Sequence, residues 1–341
     1  MTLSRALKGA LLVLLTAYSL QGYAWLRSPA TTFATLPPGT AHPEGITADA
    51  DGNLYVTDFD VSKSSGPGNI VVFDRAGRLL RTLEVQGSSN LLLGIAFHPK
   101  TKELLVIDFG NHQVLRVDPH TGASWDFSTL PAGAGPNALA FDEEGDVYIS
   151  DSALARIWRT GMDGGVADTW VENQDLLGTA GVPPFGANGM AFNNAGTAMF
   201  VANTGNDTVV RIPVMGNGEA GIPEVLVNSI NGADGLLIDG DDNIWVAANQ
   251  ADEVVVLDTT GRVIAKLGDF GGINPDGSPA GLLFPASLVI SNGFVYVTNL
   301  SLDLRLFGAP TVDSQWAASV TRHTIARIRA HIPPVRGRKL H

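Results

Sequence analysis

Four side chains that carry oxygen atoms recur at equivalent places in the sequence, each at the start of a short apolar strand pattern. They are Glu44, Asn137, Asn188 and Asp234, and glycine follows three of the four. Two carboxylates brought together away from water repel each other unless a positive charge lies between them. Carboxylate and amide oxygens suit Ca²⁺, and two carboxylates balance the charge of one divalent cation. If these side chains meet in the folded protein, they form a candidate metal site.

The four residues belong to a repeat of six units. In each unit the first residue, here called the head, is followed by a small or apolar pair, a polar turn and an apolar run. The heads are spaced by about 44 to 52 residues, the period of propeller blades. The first strand of every propeller blade lines the central channel, so the heads are expected to face one another there. The units begin with Glu44-Gly45-Ile46, Leu93-Gly94-Ile95, Asn137-Ala138-Leu139, Asn188-Gly189-Met190, Asp234-Gly235-Leu236 and Ala286-Ser287-Leu288.

Strand and turn patterns predict an all-β fold, a six-bladed β-propeller with four-stranded blades. The first unit contains strand patterns at 45–49, 53–58, 69–74 and 79–85, and no useful length of chain has the period of a helix. The repeat predicts one domain over residues 31–330, with an insertion at about 301–319 in the last blade. The segment 31–36 is expected to complete the last blade and so to join the two ends of the domain.

The two ends of the chain carry patterns of their own. Residues 1–24 are predicted to be a secretory signal peptide, because Arg5 and Lys8 precede an apolar run and small residues precede Trp25. Cleavage would give an exported protein, periplasmic or secreted, without stable membrane insertion. An uncleaved N-terminal membrane anchor is the alternative. Residues 331–341 form a basic C-terminal tail.

Composition narrows the range of partners. The formal net charge of −12 argues against nucleic acid or an anionic membrane surface as a partner. The sequence has no cysteine, so neither a disulfide nor a thiolate metal site is expected. The oligomeric state is left open.

Two long connections rich in glycine, proline and aromatic residues, at 173–187 and 268–285, are expected at the same end of the propeller as the heads. Loops on a rigid scaffold commonly supply specificity. Phe185 and Phe284 are therefore candidate substrate-binding residues, with Phe270 and Trp170 as further candidates for pocket walls. Plain packing is the alternative for each aromatic side chain.

The head segments resemble a known family. Glu44-Gly45, Asn188-Gly189-Met190-Ala191-Phe192 and Asp234-Gly235-Leu236-Leu237-Ile238-Asp239 are similar to signature segments of the senescence marker protein, gluconolactonase and luciferin-regenerating enzyme family. The resemblance covers roughly residues 40–330. It implies a six-bladed propeller with an axial divalent metal and hydrolysis of lactones or esters. It also implies that Glu44, Asn188 and Asp234 ligate the metal, and that Asn137 reaches the metal or the substrate.

Three positions depart from that family's pattern. Its sugar-lactone hydrolases tend to carry arginine where this chain has Gly135, so gluconolactone itself is not the expected substrate. Ala233 and Ile46 stand where the family often has proline. Neither of these two substitutions affects a ligand.

The leading hypothesis is a divalent-metal-dependent hydrolase that acts on a small-molecule lactone or related ester. The metal would polarise the carbonyl and activate water, with Asp234 as the proton acceptor. Glu44 or His42 could compete for that role. Ca²⁺ is favoured, and Zn²⁺, Mn²⁺ or Mg²⁺ would also suit the site. The alternative is a non-catalytic propeller that binds a partner and keeps a structural axial ion.

A second set of polar residues occupies the last position of the second strand pattern in most units. Because the set recurs so regularly, it is expected to brace turns, although Asp58 or Asn299 could also reach the pocket. Its members are Asp58, Asp108, Asp151, Asn203 and Asn299.

Overall fold

The computed structural model describes residues 27–180, 184–308 and 312–332. The signal peptide or anchor predicted at 1–24 and the tail from residue 333 lie outside the described residues. Within the described ranges, no helix has both the length and the apolar character that crossing a membrane requires.

The predicted all-β architecture of six four-stranded blades is confirmed. Blade one consists of β2 (Pro43–Ala48), β3 (Leu54–Asp58), β4 (Asn69–Phe73) and β5 (Leu79–Glu84). Blade two consists of β6 (Leu92–Phe97), β7 (Leu104–Asp108), β8 (Gln113–Val117) and β9 (Ser124–Thr129). Blade three consists of β10 (Pro136–Phe141), β11 (Val147–Asp151), β12 (Arg156–Thr160) and β13 (Asp168–Glu172).

The remaining blades follow the same plan. Blade four consists of β14 (Ala187–Phe192), β15 (Ala198–Asn203), β16 (Thr208–Pro213) and β17 (Glu224–Val227). Blade five consists of β18 (Ala233–Ile238), β19 (Ile244–Ala248), β20 (Glu253–Leu257) and β21 (Val263–Leu267). Blade six consists of β24 (Pro285–Ser291), β25 (Phe294–Asn299), β26 (Thr324–Arg329) and, from the other end of the chain, β1 (Thr31–Thr35).

Pairing between β1 and β26 closes the ring. These strands are antiparallel, with Thr31 opposite Arg327 and Thr35 opposite Thr324. The innermost strands β2, β6, β10, β14, β18 and β24 each contact the next one around the axis, and β24 contacts β2 again. Ring closure therefore joins the N-terminal and C-terminal segments of the domain in one blade and covers the edge that each would otherwise expose.

The apolar core lies between the blades. Every residue of the second strands β3, β7, β11 and β19 is buried, whereas the outermost strands β5 and β17 are largely exposed. Six apolar clusters fill the six interfaces between neighbouring blades. Because each blade packs on two neighbours, strands that are covered on both faces can be apolar along their whole length.

A β-bulge interrupts every innermost strand at its start. The pairing register shifts between Pro43 and Ile46 in blade one and between Ala233 and Leu236 in blade five, and the same shift occurs in the other four blades. Each head lies inside its bulge. Bulges re-aim side chains and release backbone groups from the ladder, so this repeated irregularity directs the heads towards the axis.

Glycine after a head allows close approach between neighbouring innermost strands. A Cβ on Gly189 would lie 2.6 Å from the carbonyl oxygen of Asp234, and one on Gly235 would lie 2.5 Å from that of Ala286. Gly94, which follows an apolar head, has the same contact with the next blade. The glycines therefore serve strand packing and do not mark a metal ligand.

Buried hydroxyl groups satisfy the backbone groups that the bulges release. The Gly45 amide donates to Thr57 Oγ1 at 2.9 Å, and that hydroxyl donates to the Leu93 carbonyl of the next blade at 2.6 Å. Thr298 makes the corresponding bonds with Ser287 and with the Glu44 carbonyl. These hydroxyl groups fasten neighbouring blades to each other at the level of the heads.

Among the described residues, several additions to the repeat were not predicted as elements, including 3-10 turns at Gln174–Leu176 and Asn249–Ala251. A two-stranded hairpin, β22 (Phe270–Ile273) with β23 (Pro279–Gly281), occupies the connection between blades five and six. The insertion of blade six contains a 3-10 turn at Leu304–Phe307 and the short helix α1 (Val312–Ala317). A six-residue helix spans fewer than two turns, so its period is too short to detect in a sequence.

The close approach of the innermost strands predicts that Gly189→Ala destabilises the protein by about 1 to 3 kcal/mol, the typical cost of overpacking. Gly216→Ala is the control, because a Cβ there would meet no atom within 4 Å. Urea denaturation of both variants measures the difference. Equal midpoints for the two variants would contradict the packing described for the heads.

Candidate functional site

The four oxygen-bearing heads line one small cavity on the axis. Glu44, Asn137, Asn188 and Asp234 are each no more than 4% exposed, and all four line a cavity of about 30 Å³. Of the remaining heads, Leu93 also lines this cavity. Residues separated by as many as 190 positions in sequence are thus brought together because their strands are equivalent in the repeat.

Two carboxylate oxygens in the cavity have no hydrogen-bond partner within the described part of the chain. These atoms are Glu44 Oε2 and Asp234 Oδ1, and both are buried. An ionised carboxylate accepts hydrogen bonds and donates none, so the two groups cannot satisfy each other. Leaving such acceptors unpaired is costly, and a cation, a shared proton or a water molecule that donates to them would compensate.

Burial raises the pKa of both carboxyl groups. The pKa of Glu44 lies well above its usual value, because the group is desolvated and because the charge of Asp234 is close. Burial raises the pKa of Asp234 to about 7, and hydrogen bonds with Asn249 and Asn188 oppose this shift. Without a cation, the pair therefore tends to retain a proton near neutral pH.

Hydroxyl groups fix the amide orientation of two heads. Asn137 Nδ2 donates to Ser152 Oγ at 3.1 Å, and Asn188 Nδ2 donates to Thr204 Oγ1 at 3.0 Å. Each hydroxyl donates its single proton to a carbonyl of the next blade, at Ala187 and Ala233 respectively, over 2.8 Å. A hydroxyl whose proton is committed can only accept from the amide, so Nδ2 must face it and Oδ1 remains available as a ligand.

Asn249 was missed by the sequence analysis. Its Nδ2 donates to Asp234 Oδ2 at 3.0 Å, which holds that carboxylate in place and leaves Oδ1 unpaired. Its own Oδ1 is buried, lies close to Gly232 and has no hydrogen-bond partner among the described residues. The bond from Nδ2 makes Asn249 a positioning residue for Asp234.

A regular signal could have revealed this residue. Asn249 directly follows the second strand of blade five, as Ser152 and Thr204 follow those of blades three and four. Polar residues therefore occur at this position in the three blades whose heads are Asn137, Asn188 and Asp234. The second polar set lies one position earlier, at the last residue of each second strand, and this residue is Ala248 in blade five.

Apolar side chains complete the cavity wall. Phe185 is half-buried and Phe284 is 1% exposed, and both line the cavity together with Phe59, Leu300 and Leu302. Phe284 has a left-handed backbone, with φ of 49°, and its amide donates to Asp252 Oδ1 at 2.7 Å. Left-handed backbone is strained in an aromatic residue, so the hydrogen bond to Asp252 helps to keep the ring in the wall.

The other two aromatic candidates lie elsewhere. Trp170 packs against Tyr148 and Phe192 in the interface between blades three and four. Phe270 packs against Trp316 of the insertion, with ring centroids 5.6 Å apart. Neither lines the axial cavity, so plain packing describes both.

His42 is not in the cavity wall. Its Nδ1 lies 3.0 Å from the Leu300 carbonyl oxygen, and its ring packs on His323 with centroids 4.6 Å apart. Burial lowers the pKa of His42, and burial together with His42 lowers the pKa of His323 to about 3. His42 and His323 therefore pack against each other as neutral rings, outside the set of residues that line the cavity.

The second polar set holds backbone turns. Asp151 accepts hydrogen bonds from the Gly135, Ala153 and Leu154 amides and from the Trp158 indole. Asp58 likewise accepts from Asn69, and the Leu283 amide donates to Asn299. All members of the set are buried at the ends of second strands, as expected for turn braces. None of them lines the axial cavity.

The residues at the axis fit a divalent cation. The unpaired oxygens of Glu44 and Asp234 carry two negative charges, and the amide oxygens of Asn137 and Asn188 supply neutral ligands of the kind that Ca²⁺ accepts. Within the described part of the chain, no cluster of three or more histidine, aspartate or glutamate side chains is arranged to hold a metal ion. A metal centre at the axis would therefore depend on amide ligands as well as on carboxylates.

Fold and site define the class of protein as a six-bladed propeller with an acidic, oxygen-rich centre on its axis. Residues 185–268 match the family model described as the SMP-30/Gluconolactonase/LRE-like region. This stretch contains blades four and five, with the heads Asn188 and Asp234 and the supporting Asn249. The resemblance stated from the sequence is confirmed. A search with the sequence finds no matching relative among curated proteins.

Solved structures share the architecture. A luciferin-regenerating enzyme is 16% identical, with a TM-score of 0.63, 85% of this chain covered and 92% of that chain. Regucalcin, a calcium-binding protein from Agrobacterium tumefaciens, is 16% identical, with a TM-score of 0.61 and coverage of 89% and 98%. A gluconolactonase from Xanthomonas campestris is 16% identical, with a TM-score of 0.58 and coverage of 78% and 85%. Identities this low show a shared fold and leave the activity to be argued from the site.

Proposed function

We propose that the protein is a divalent-cation-dependent hydrolase that acts on a lactone or related ester. The observation that carries the proposal is the pair of unpaired carboxylate oxygens, from Glu44 and Asp234, in one buried axial cavity. The match of residues 185–268 to a family that includes gluconolactonase, and the likeness of the fold to a gluconolactonase, support the reaction class.

Glu44, Asn137, Asn188 and Asp234 are the proposed ligands of the cation. Ca²⁺ is favoured because all four supply oxygen atoms, and because one structure of the same fold is that of a calcium-binding protein. Zn²⁺, Mn²⁺ or Mg²⁺ would also be compatible with these donors, since availability contributes to metal occupancy. The cavity of about 30 Å³ has room for an ion with a water molecule.

When bound, a divalent cation polarises the ester carbonyl, stabilises the developing oxyanion and lowers the pKa of water. Asp234 is the proposed proton acceptor, because its carboxylate lines the cavity and its Oδ1 has no hydrogen-bond partner among the described residues. The water oxygen bonds to the carbonyl carbon and the bond to the leaving alkoxide breaks. The alkoxide takes up the proton, so a lactone gives one hydroxy acid.

The wall residues control access to this centre. Phe284 and Leu302 are buried against the cavity and exclude bulk water from the carboxylates. Phe185 is only half-buried, so it is the wall residue that a substrate would displace on entry. Exclusion of water strengthens every charge interaction at the axis.

The small volume of the cavity favours a second candidate function. A cavity of about 30 Å³ holds an ion more readily than a substrate, as expected for a non-catalytic propeller that keeps a structural axial ion. Such a protein would retain its fold and its cation and would hydrolyse no lactone or ester.

Lactone hydrolysis tests the proposed function. We expect Asp234→Asn to lower kcat by about 100-fold or more, because the proton acceptor and one ligand charge are lost together. Asp241→Asn, in the exposed turn that follows β18, is the control for loss of an acidic group. Chelation with EDTA should abolish hydrolysis by the wild type, and added Ca²⁺ should restore it. Full activity in Asp234→Asn, or in chelated protein shown to be metal-free, would contradict the proposal.

Thr204 provides a separate test of ligand orientation. Thr204→Val keeps the shape of the side chain but removes the acceptor that orients the Asn188 amide, and we expect cation affinity to fall about 10- to 100-fold. Thr204→Ser retains the hydroxyl and should retain the affinity. Calorimetric titration with Ca²⁺ and Tb³⁺ luminescence both measure it without any substrate.

Thr57→Val is the matched control, because Thr57 is equally buried and bonds only to backbone groups. It should lower the unfolding temperature and leave the affinity nearly unchanged. If Thr57→Val weakens cation binding as much as Thr204→Val does, orientation of Asn188 is not the cause.

A further inference from the structure

The residues around the axis divide into a polar arc and an apolar arc. The heads and the residues that follow the second strands are all polar in blades three, four and five: Asn137, Ser152, Asn188, Thr204, Asp234 and Asn249. At the same positions blades six, one and two carry Ala286, Leu300, Glu44, Phe59, Leu93 and Phe109. Glu44 is the one polar residue of the apolar arc, so the carboxylate of blade one projects from an otherwise apolar surface.

The apolar arc offers a substrate no hydrogen-bonding side chain except Glu44. Among the described residues that line the cavity, those outside the polar arc and Glu44 are Phe59, Leu93, Phe185, Phe284, Leu300 and Leu302. Each hydroxyl of a sugar lactone placed against this arc would lose a bond to water without gaining a partner. That loss costs about 1 to 3 kcal/mol for a buried polar group.

Apolar side chains of the blade-six insertion follow the apolar arc along the chain and lead to the protein surface. Leu302 lines the cavity, and Leu304 is fully buried against the same cluster. The same 3-10 turn then brings Leu306 and Phe307 to the surface, where they are 64% and 51% exposed. Neighbouring exposed apolar side chains of this kind commonly mark a binding surface.

We infer that the site takes a lactone or ester with an apolar alkyl or aryl substituent, which lies on the apolar arc and extends towards Leu306 and Phe307. The inference rests on the proposed function and adds the class of substrate. The carbonyl faces the polar arc and the ligand oxygens. Binding removes the apolar surface of the substituent from water. This raises kcat/KM by about threefold to fourfold for each methylene that is buried.

A series of six-membered lactones tests the inference with the full-length protein. We expect kcat/KM to rise from δ-valerolactone through δ-octalactone to δ-decalactone, by about threefold or more for each added methylene that is buried and so by about tenfold for a buried pair. Glucono-δ-lactone should be hydrolysed at least about tenfold less efficiently than δ-decalactone. A flat alkyl series, or a preference for glucono-δ-lactone, would overturn the inference and leave the proposed hydrolase intact. Hydrolysis of none of these lactones would overturn both.

Phe307→Ser locates the substituent. This exposed position tolerates a polar residue, and we expect the ratio of kcat/KM for δ-decalactone to that for δ-valerolactone to fall by about threefold or more. Ile222→Ser, at an apolar side chain that is 85% exposed in blade four, should leave the ratio unchanged. An unchanged ratio in Phe307→Ser would exclude the path along the insertion, and equal falls in both variants would exclude a specific contact.

Discussion

The fold confines two negative charges to a buried cavity without enough hydrogen-bond donors. Glu44 and Asp234 each present one oxygen that no group in residues 27–180, 184–308 and 312–332 satisfies. Their strands are fixed by ring closure and by the blade interfaces, so the two carboxylates cannot separate to regain water. A protein tolerates such a centre only if the rest of the fold is stable enough and if something positive, a cation or a proton, shares the site.

The same backbone geometry is used six times and is specialised by side chains alone. Each bulge directs a head towards the axis. Close contacts between innermost strands keep neighbouring heads at the same height along the axis, and buried hydroxyl groups accept hydrogen bonds from the released amides. In blades three and four, hydroxyls two positions further along, those of Ser152 and Thr204, orient the head amides. A structural hydroxyl and one that positions a ligand are thus two residues apart at the end of a second strand, and residues two apart point to the same face of a strand.

Much of this arrangement could be predicted from the sequence because the same strand and turn pattern occurs in six units. A stretch whose secondary structure is ambiguous in one unit can be assigned from the other five. Blade number and the convergence of Glu44 with Asp234 followed from the spacing of the repeat, and the closing strand β1 followed from the need to cover the edge of the last blade. The role of glycine did not, since Gly94 after an apolar head is explained only by contact with the next strand. Asn249 was missed because its function depends on which residue ends β19. The positions of Phe270 and Trp170 depend on tertiary packing, which a pattern of aromatic residues does not encode.

Anomalous diffraction from a crystal grown with Mn²⁺ or Tb³⁺ would show whether a divalent cation completes the axial centre. We expect one strong anomalous peak on the propeller axis, within about 2.6 Å of carboxylate oxygens from both Glu44 and Asp234. Absence of that peak at saturating metal, with the two carboxyl groups hydrogen-bonded to each other through a proton, would contradict it.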